Sequence, residues 1–272
     1  MPHPQNSHRV INPHYEHRQL IMMVTRACQL DCVYCQFDRT KPPMSLETMR
    51  ASVDLLMTAR PKEVRVQFFG GEPLLRQDLI LATMEYADAA AKKAGKTVVY
   101  IITTNTMALT DELRAKFDKR GVIWILSFDG DIGTQDSQRP VRAGGTRFIS
   151  ALEQIRRIAA SGAPYLVNMT ATPAHADHTK RNAMLLLDAG VRAISFGNRM
   201  GEDWTDERAV TYFQNLQSLL EEAHRRDLKL FVLNSVGRDE PMIVSPTPTV
   251  DCDGTVYVGS VIPPLEKLLP NV

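Results

Sequence analysis

Short apolar runs alternate six times with longer segments of helical period, and that alternation leaves few folds open to this chain. The runs cover residues 20–25, 64–69, 98–103, 122–127, 165–170 and 193–197, each rich in Val, Ile, Phe or Tyr and nearly continuous in its hydrophobicity. Such continuity is the mark of parallel strands covered on both faces. Between and after them, 45–60, 75–94, 110–119, 146–160, 176–189 and 206–226 read as helices. Ser45 and Thr110 stand where N-caps belong and Gly190 where a C′ residue belongs. Phe148, Leu152, Ile155 and Ala159 recur at helical spacing and give one apolar face. Six β-α units in succession mean an α/β fold with a parallel sheet, doubly wound or curled into a partial (β/α)6 barrel.

Beyond about residue 235 the pattern stops. Pro241, Pro246, Pro248, Pro263, Pro264 and Pro270 break helices, and 250–257 reads as a hairpin turning at Asp253-Gly254. The chain therefore divides into an N-terminal tail (1–18), a barrel (19–235) and a short C-terminal extension (236–272). The tail carries His3, His8, His14 and His17, whose spacings match no common ligand pattern, so a loosely ordered segment is expected. Lys and Arg number 32 against 31 Asp and Glu, a net charge of +1. That balance gives no drive toward nucleic acid or an anionic membrane. No signal peptide and no apolar stretch of membrane-spanning length is seen. Three of the four cysteines cluster, which is no disulfide framework, and a reducing cytoplasm is the expected setting.

The clustered three, Cys28, Cys32 and Cys35, follow the first apolar run at C-x3-C-x2-C spacing. A structural zinc site wants four ligands, and no fourth Cys or His follows within the next hundred residues. Three thiolates suit a [4Fe–4S] cluster with one iron left open, and the bland alternative is three buried apolar cysteines. The second run ends Phe68-Phe69-Gly70-Gly71-Glu72-Pro73. Both motifs thus sit at C-terminal strand ends, where β-α barrels gather their chemistry.

Together the two motifs resemble the radical S-adenosylmethionine (radical SAM) enzymes, which carry such a cysteine loop with an aromatic residue before its last cysteine, here Tyr34, and a Gly-Gly-Glu-Pro-like stretch. The resemblance covers about residues 19–232. Its supporting phrases are Thr25…Cys28-Gln-Leu-Asp-Cys32, Thr104-Asn105 and Ser127-Phe128-Asp129-Gly130 followed by Arg139. Within the family, the chain is similar to the peptide- and protein-modifying SPASM/twitch branch that includes the anaerobic sulfatase-maturing enzymes.

The resemblance implies that Cys28, Cys32 and Cys35 hold one [4Fe–4S] cluster whose fourth iron chelates SAM. Reductive cleavage would yield a 5′-deoxyadenosyl radical that abstracts hydrogen from the substrate. It also implies cofactor-binding roles for Tyr34, Gly70, Gly71, Glu72, Pro73, Thr104, Asn105, Ser127, Asp129 and Arg139, with Thr103 beside them. Gly70 and Gly71 would let the backbone approach the cofactor, Glu72 would accept from the SAM amino group, and Arg139, or else Arg142, would take its carboxylate. A flavodoxin- or ferredoxin-like electron donor is implied as a partner.

The stretch 249–257 is similar to the opening hairpin of a SPASM or twitch extension, yet offers only Cys252. One thiolate cannot hold a further cluster, so Cys252 is expected to be a buried small hydrophobe. Asp251 and Asp253 are the candidate proton acceptors. The substrate is expected to be a peptide or protein side chain, or its Cα. No leader-binding domain is evident before the barrel, so a sugar, nucleoside or amino acid stays open as substrate. An Fe–S carrier or catalytically dead partner is a third reading, opposed by Gly70-Gly71-Glu72-Pro73.

Overall fold

A computed structural model describes residues 18–35, 37–199, 203–233 and 247–258. The His-bearing tail and most of the proposed extension lie outside them. Seven strands, β1 (Gln19–Thr25), β2 (Glu63–Gly70), β3 (Thr97–Thr104), β4 (Ile123–Ser127), β5 (Tyr165–Ala171), β6 (Ala193–Asn198) and β7 (Phe231–Val232), lie side by side in chain order and all run parallel. The helices between them are α1 (Leu46–Met57), α2 (Gln77–Ala94), α3 (Asp111–Asp118), α4 (Ile132–Gln138), α5 (Phe148–Ser161), α6 (Thr179–Asp188) and α7 (Asp206–Arg225). The result is an open, partial barrel of parallel strands, as the alternation requires.

The local reasons are ordinary ones. Six of the seven residues of β1 are buried, because a strand covered on both faces has no solvent side to place polar residues on. Ser45 Oγ accepts from Thr48 N at 3.0 Å and Thr110 Oγ1 from Leu113 N at 3.1 Å, which satisfies first-turn donors of α1 and α3. α5 buries Phe148, Ala151, Leu152, Ile155 and Ile158 against the sheet. The main core results, with Phe68, Phe117, Trp124 and Phe128 fully buried in it.

Two predicted helices begin as 3-10 turns, Pro73–Arg76 before α2 and Pro173–His178 before α6. In each, proline sits at the first turn, where its missing N–H leaves no bond unmade. Two elements escaped the pattern altogether, α4 and the two-residue β7.

The C-terminal hairpin continues the same sheet. β8 (Pro248–Val250) pairs parallel with β1 through Ile21↔Thr249 and Met22↔Val250, and β9 (Val256–Val258) returns antiparallel. Its turn spans Asp251 to Gly254, whose N–H donates to Asp251 O at 2.9 Å. The sheet therefore carries β1 in its interior, with β2 on one side and β8 on the other.

The ends of β1 and β2 meet at unusually short range. Gly71 N donates to Thr25 O at 2.8 Å and Glu72 N to Ala27 O at 2.9 Å. A Cβ on Gly71 would lie 2.4 Å from Ala27 O, and one on Gly70, whose φ is +138°, 2.1 Å from Thr25 O. The Gly-Gly pair is needed because the cysteine loop's own backbone presses against it. Gly71→Ala is accordingly expected to cost about 2–3 kcal/mol, roughly 5–10 °C in melting temperature for a chain of this size. Gly95→Ala, at a left-handed position (φ +64°) but facing open space, should cost only about 1 kcal/mol. Thermal denaturation of the two variants checks the comparison, and equal losses would sink the close-approach argument.

Candidate active site

The cysteine loop leaves β1 at Thr25 and is pinned on two sides. On one side stands the Gly70-Gly71 contact. On the other, Asp31 N donates to Pro140 O at 2.8 Å, Val33 N to Gln138 O at 3.0 Å and Arg142 N to Gln29 O at 3.0 Å, with a bridge between Leu30 and Val141. Cys35 N closes a turn onto Cys32 O at 2.9 Å. All three thiols open into one cavity of about 320 Å³ lying across the C-terminal ends of β1 to β6.

Tyr34, Gly70, Gly71, Thr103, Thr104, Asn105, Ser127 and Arg139 line that same cavity. Cys28 Sγ accepts from Leu30 N and from Asn105 Nδ2, each at 3.4 Å. Burial pushes the Cys28 thiol up and carries Cys32 to about 11. Both would therefore hold their protons until a metal displaces them.

Glu72, Pro73 and Asp129 are not on the cavity wall. Glu72 is fully buried: its Oε1 accepts from Leu74 N at 3.0 Å and Thr104 Oγ1 at 2.9 Å, and its Oε2 from Asn105 N at 2.7 Å. These partners tie the end of β2 to the end of β3. Burial raises its carboxyl to about 7 even though three hydrogen bonds oppose the shift. Both oxygens are thus engaged by donors of the chain itself.

Arg139 caps α4 and is committed to Asp129, which receives its Nε at 2.8 Å and its Nη2 at 2.9 Å. Asp129 also accepts Tyr34 Oη at 2.7 Å and Thr170 N at 2.8 Å, while the guanidinium lies over the Tyr34 ring, 5.3 Å from its centroid. The pair thus holds the cysteine loop, through Tyr34, to the ends of β4 and β5. Arg139 presents an edge to the cavity but spends its fork on Asp129. Arg142 is exposed on the loop beyond.

Asp251 and Asp253 do not reach the cavity. Asp251 is buried and paired with Arg26, Nε to Oδ1 at 3.0 Å and Nη2 to Oδ2, with Lys41 Nζ at 3.1 Å and Cys252 N at 2.7 Å. Burial alone would raise its carboxyl, but these donors hold it below the ordinary range. Asp253 is held low by Lys41 at 2.5 Å. Both carboxylates are thus engaged by cationic side chains away from the cavity lining. Cys252 is buried with Met23 behind Phe37 and Phe69, and its Sγ donates to Met23 O at 3.1 Å.

Several lining residues carry no motif: Phe37 and Arg39 on the loop, Phe69 on β2, Asn168 on β5, and Asn198 and Arg199 at the end of β6. The strand-end rule alone would have found the last two.

The donor set fits a cubane cluster. Three thiols on one pinned loop face one cavity, and two N–H groups already point at one sulfur. Among the described residues, no three His, Cys, Asp or Glu side chains converge on a single-ion site. A cubane asks instead that each thiolate meet its own iron.

Residues 22–201 match the radical SAM superfamily. The chain belongs to that superfamily. The radical SAM enzymes use a [4Fe–4S] cluster and SAM, and this chain is one of them. It is 28% identical over 195 residues to the PqqA peptide cyclase of Streptomyces rochei, covering 68% of this chain and 49% of that one. Against the serine-type anaerobic sulfatase-maturating enzyme of Klebsiella pneumoniae, identity is 24% over 189 residues, 67% of this chain and 48% of the other. The chain thus spans about half the length of these two relatives. Its fold matches the structure described as native anSMEcpe with bound AdoMet and Cp18Cys peptide, with a TM-score of 0.79 and 16% identity, covering 89% of this chain and 73% of that one. No described helix of this radical SAM protein is long and apolar enough to cross a membrane.

Proposed function

We propose that this radical SAM enzyme modifies a peptide or protein, abstracting hydrogen from a side chain or a Cα, as in ribosomal peptide maturation. One observation carries the reading: three thiols, the Gly70-Gly71 backbone and the polar ends of β3 and β4 share one cavity with the otherwise unassigned ends of β5 and β6. Cys28, Cys32 and Cys35 are the ligands of a single [4Fe–4S] cluster in this reading. Gly70, Gly71, Thr104, Asn105, Ser127 and Arg139 wall the SAM side, with Tyr34, Asp129 and Glu72 holding that wall in place. When bound, the reduced cluster and SAM supply a 5′-deoxyadenosyl radical. Phe37, Phe69 and Leu30 keep water from it on the loop side. Asn168 on β5 and Asn198 at the end of β6 line the same cavity, where amide donors suit the carbonyl groups of a peptide. Cys252, buried behind Phe37 and Phe69, adds no second cluster. A flavodoxin- or ferredoxin-like protein is the electron donor in this proposal.

The test is anaerobic reconstitution with iron and sulfide, followed by dithionite and SAM. About four iron per chain and 5′-deoxyadenosine are expected. Turnover should rise when a substrate peptide is added, with deuterium from the attacked position appearing in 5′-deoxyadenosine. A bound cluster that never cleaves SAM would point instead to a carrier or dead partner, and stimulation only by small molecules would refute the peptide assignment.

A further inference from the structure

The residue that ends β3 is placed to do more than line a wall. Asn105 is buried, with its side chain fixed at both ends. Its Oδ1 accepts from Met107 N at 2.9 Å, which settles which end of the amide is oxygen. Its Nδ2 therefore faces Cys28 Sγ, at 3.4 Å. Its backbone N–H goes to Glu72 Oε2 at 2.7 Å, and the preceding Thr104 hydroxyl goes to Glu72 Oε1 at 2.9 Å. Glu72 has no cation among these partners, so its carboxylate is held by donors from its own turn and from the end of β3 alone.

We infer that Asn105 tunes the reduction potential of a cluster held by Cys28, and that Glu72 is the positioning residue that aims its amide. The physical basis is electrostatic. A cluster that gains an electron places more negative charge on its ligating sulfurs, so an N–H dipole pointing at one of them stabilises the reduced form and raises the potential. Glu72 contributes through geometry: it fixes the backbone of residues 104 and 105, and the Asx turn onto Met107 then leaves Nδ2 one direction to face. The inference rests on the cysteine triad being the cluster site, as proposed above.

The experiment is a potentiometric titration, followed by EPR, of the reconstituted full chain without SAM, so that cofactor contacts cannot contribute. Asn105→Ala with wild-type iron content should be about tenfold harder to reduce at a fixed potential, a fall of about 59 mV for one electron. An unchanged or higher midpoint overturns the inference. If Asn105→Ala takes up no iron, Asn105→Asp keeps the oxygen for Met107 N and turns the donor toward Cys28 into an acceptor. Its midpoint should fall further, and an unchanged or higher one again overturns the inference.

Glu72→Gln separates positioning from charge. Removing a nearby negative charge would by itself raise the midpoint, whereas losing the aim of Asn105 lowers it. A fall in the wild-type background and none in the Asn105→Ala background supports positioning. A rise, no change, or an equal fall in both backgrounds overturns the role of Glu72. Wild-type chain that binds no cluster would defeat the cluster-site proposal itself, whereas a cluster of unchanged potential in the variants defeats only this inference.

Discussion

Replacing Cys32 with alanine should strip the iron from the reconstituted chain and reduce 5′-deoxyadenosine formation to background while leaving the fold intact. Two thiolates cannot hold the three irons that a site-differentiated cubane anchors to protein. The loop does not depend on the sulfur for its path. Its backbone bonds run from Asp31 and Val33 to Pro140 and Gln138, and from Gly71 and Glu72 to Thr25 and Ala27. Cys32 itself is only half-buried and packs in no core cluster. Melting temperature and far-UV circular dichroism of the iron-free chains should therefore agree between wild type and variant. Cys252→Ala gives the opposite pattern. It removes a buried thiol and its bond to Met23 O, costing about 1–2 kcal/mol, and leaves the iron content and SAM cleavage in place. Iron and sulfide analysis with an assay for 5′-deoxyadenosine decides. Iron lost from Cys252→Ala in proportion to a further cluster would refute the single-cluster reading, and full activity in Cys32→Ala would refute the triad.

The parallel strands were legible because burial on both faces writes them as continuous apolar runs, and β1 to β6 fall within a residue or so of those runs. Helix α4 was not, since its sequence Ile-Gly-Thr-Gln-Asp-Ser-Gln has no apolar stripe. The residues it buries are Thr134, Gln135 and Gln138, polar groups whose partners lie elsewhere in the chain. Its one local signal was Asp131, an N-cap whose carboxylate accepts from Thr134 N at 2.9 Å.

For the site, spacing and strand-end position were enough to bring the cysteines, Gly70-Gly71, Asn105 and Ser127 to one cavity. What no local pattern could supply was pairing over distance. Glu72 and Asp129 read as ligand groups from their motifs, yet Glu72 is taken up by Thr104 and Asn105, and Asp129 by Tyr34, Arg139 and Thr170. A carboxylate's role is set by which donors reach it, and those donors lie 10 to 95 residues away in the chain. The same limit hid Arg26, whose partner Asp251 is 225 residues distant.

That pair carries the second large effect. Asp251→Asn should destabilise the chain by about 3–5 kcal/mol, because it leaves the buried Arg26 guanidinium without its counter-charge. For a chain of this size that corresponds to a fall of roughly 10 °C or more in melting temperature. The loss should reach the active site as well. Arg26 stands two residues before Cys28, and its carbonyl lies where a Cβ on Gly71 would be 2.5 Å away, so its freedom loosens the contact that seats the cysteine loop. Iron uptake by Asp251→Asn should accordingly fall with stability, although no cluster ligand has changed. The pH dependence fixes the sign. Asp251 is depressed in the folded state, so its stabilisation is fully present above the unfolded carboxylate value of about 3.9 and is lost as pH falls through the folded one. Wild type and Asp251→Asn should differ most near neutrality and converge on the acid side, as urea titrations between pH 3 and 7 would show. Replacing both partners, Arg26→Met with Asp251→Leu, removes the uncompensated charge and should recover most of the stability, leaving Lys41 its pairing with Asp253. A double variant as unstable as Asp251→Asn would mean that shape at this junction, rather than charge, holds β8 beside β1.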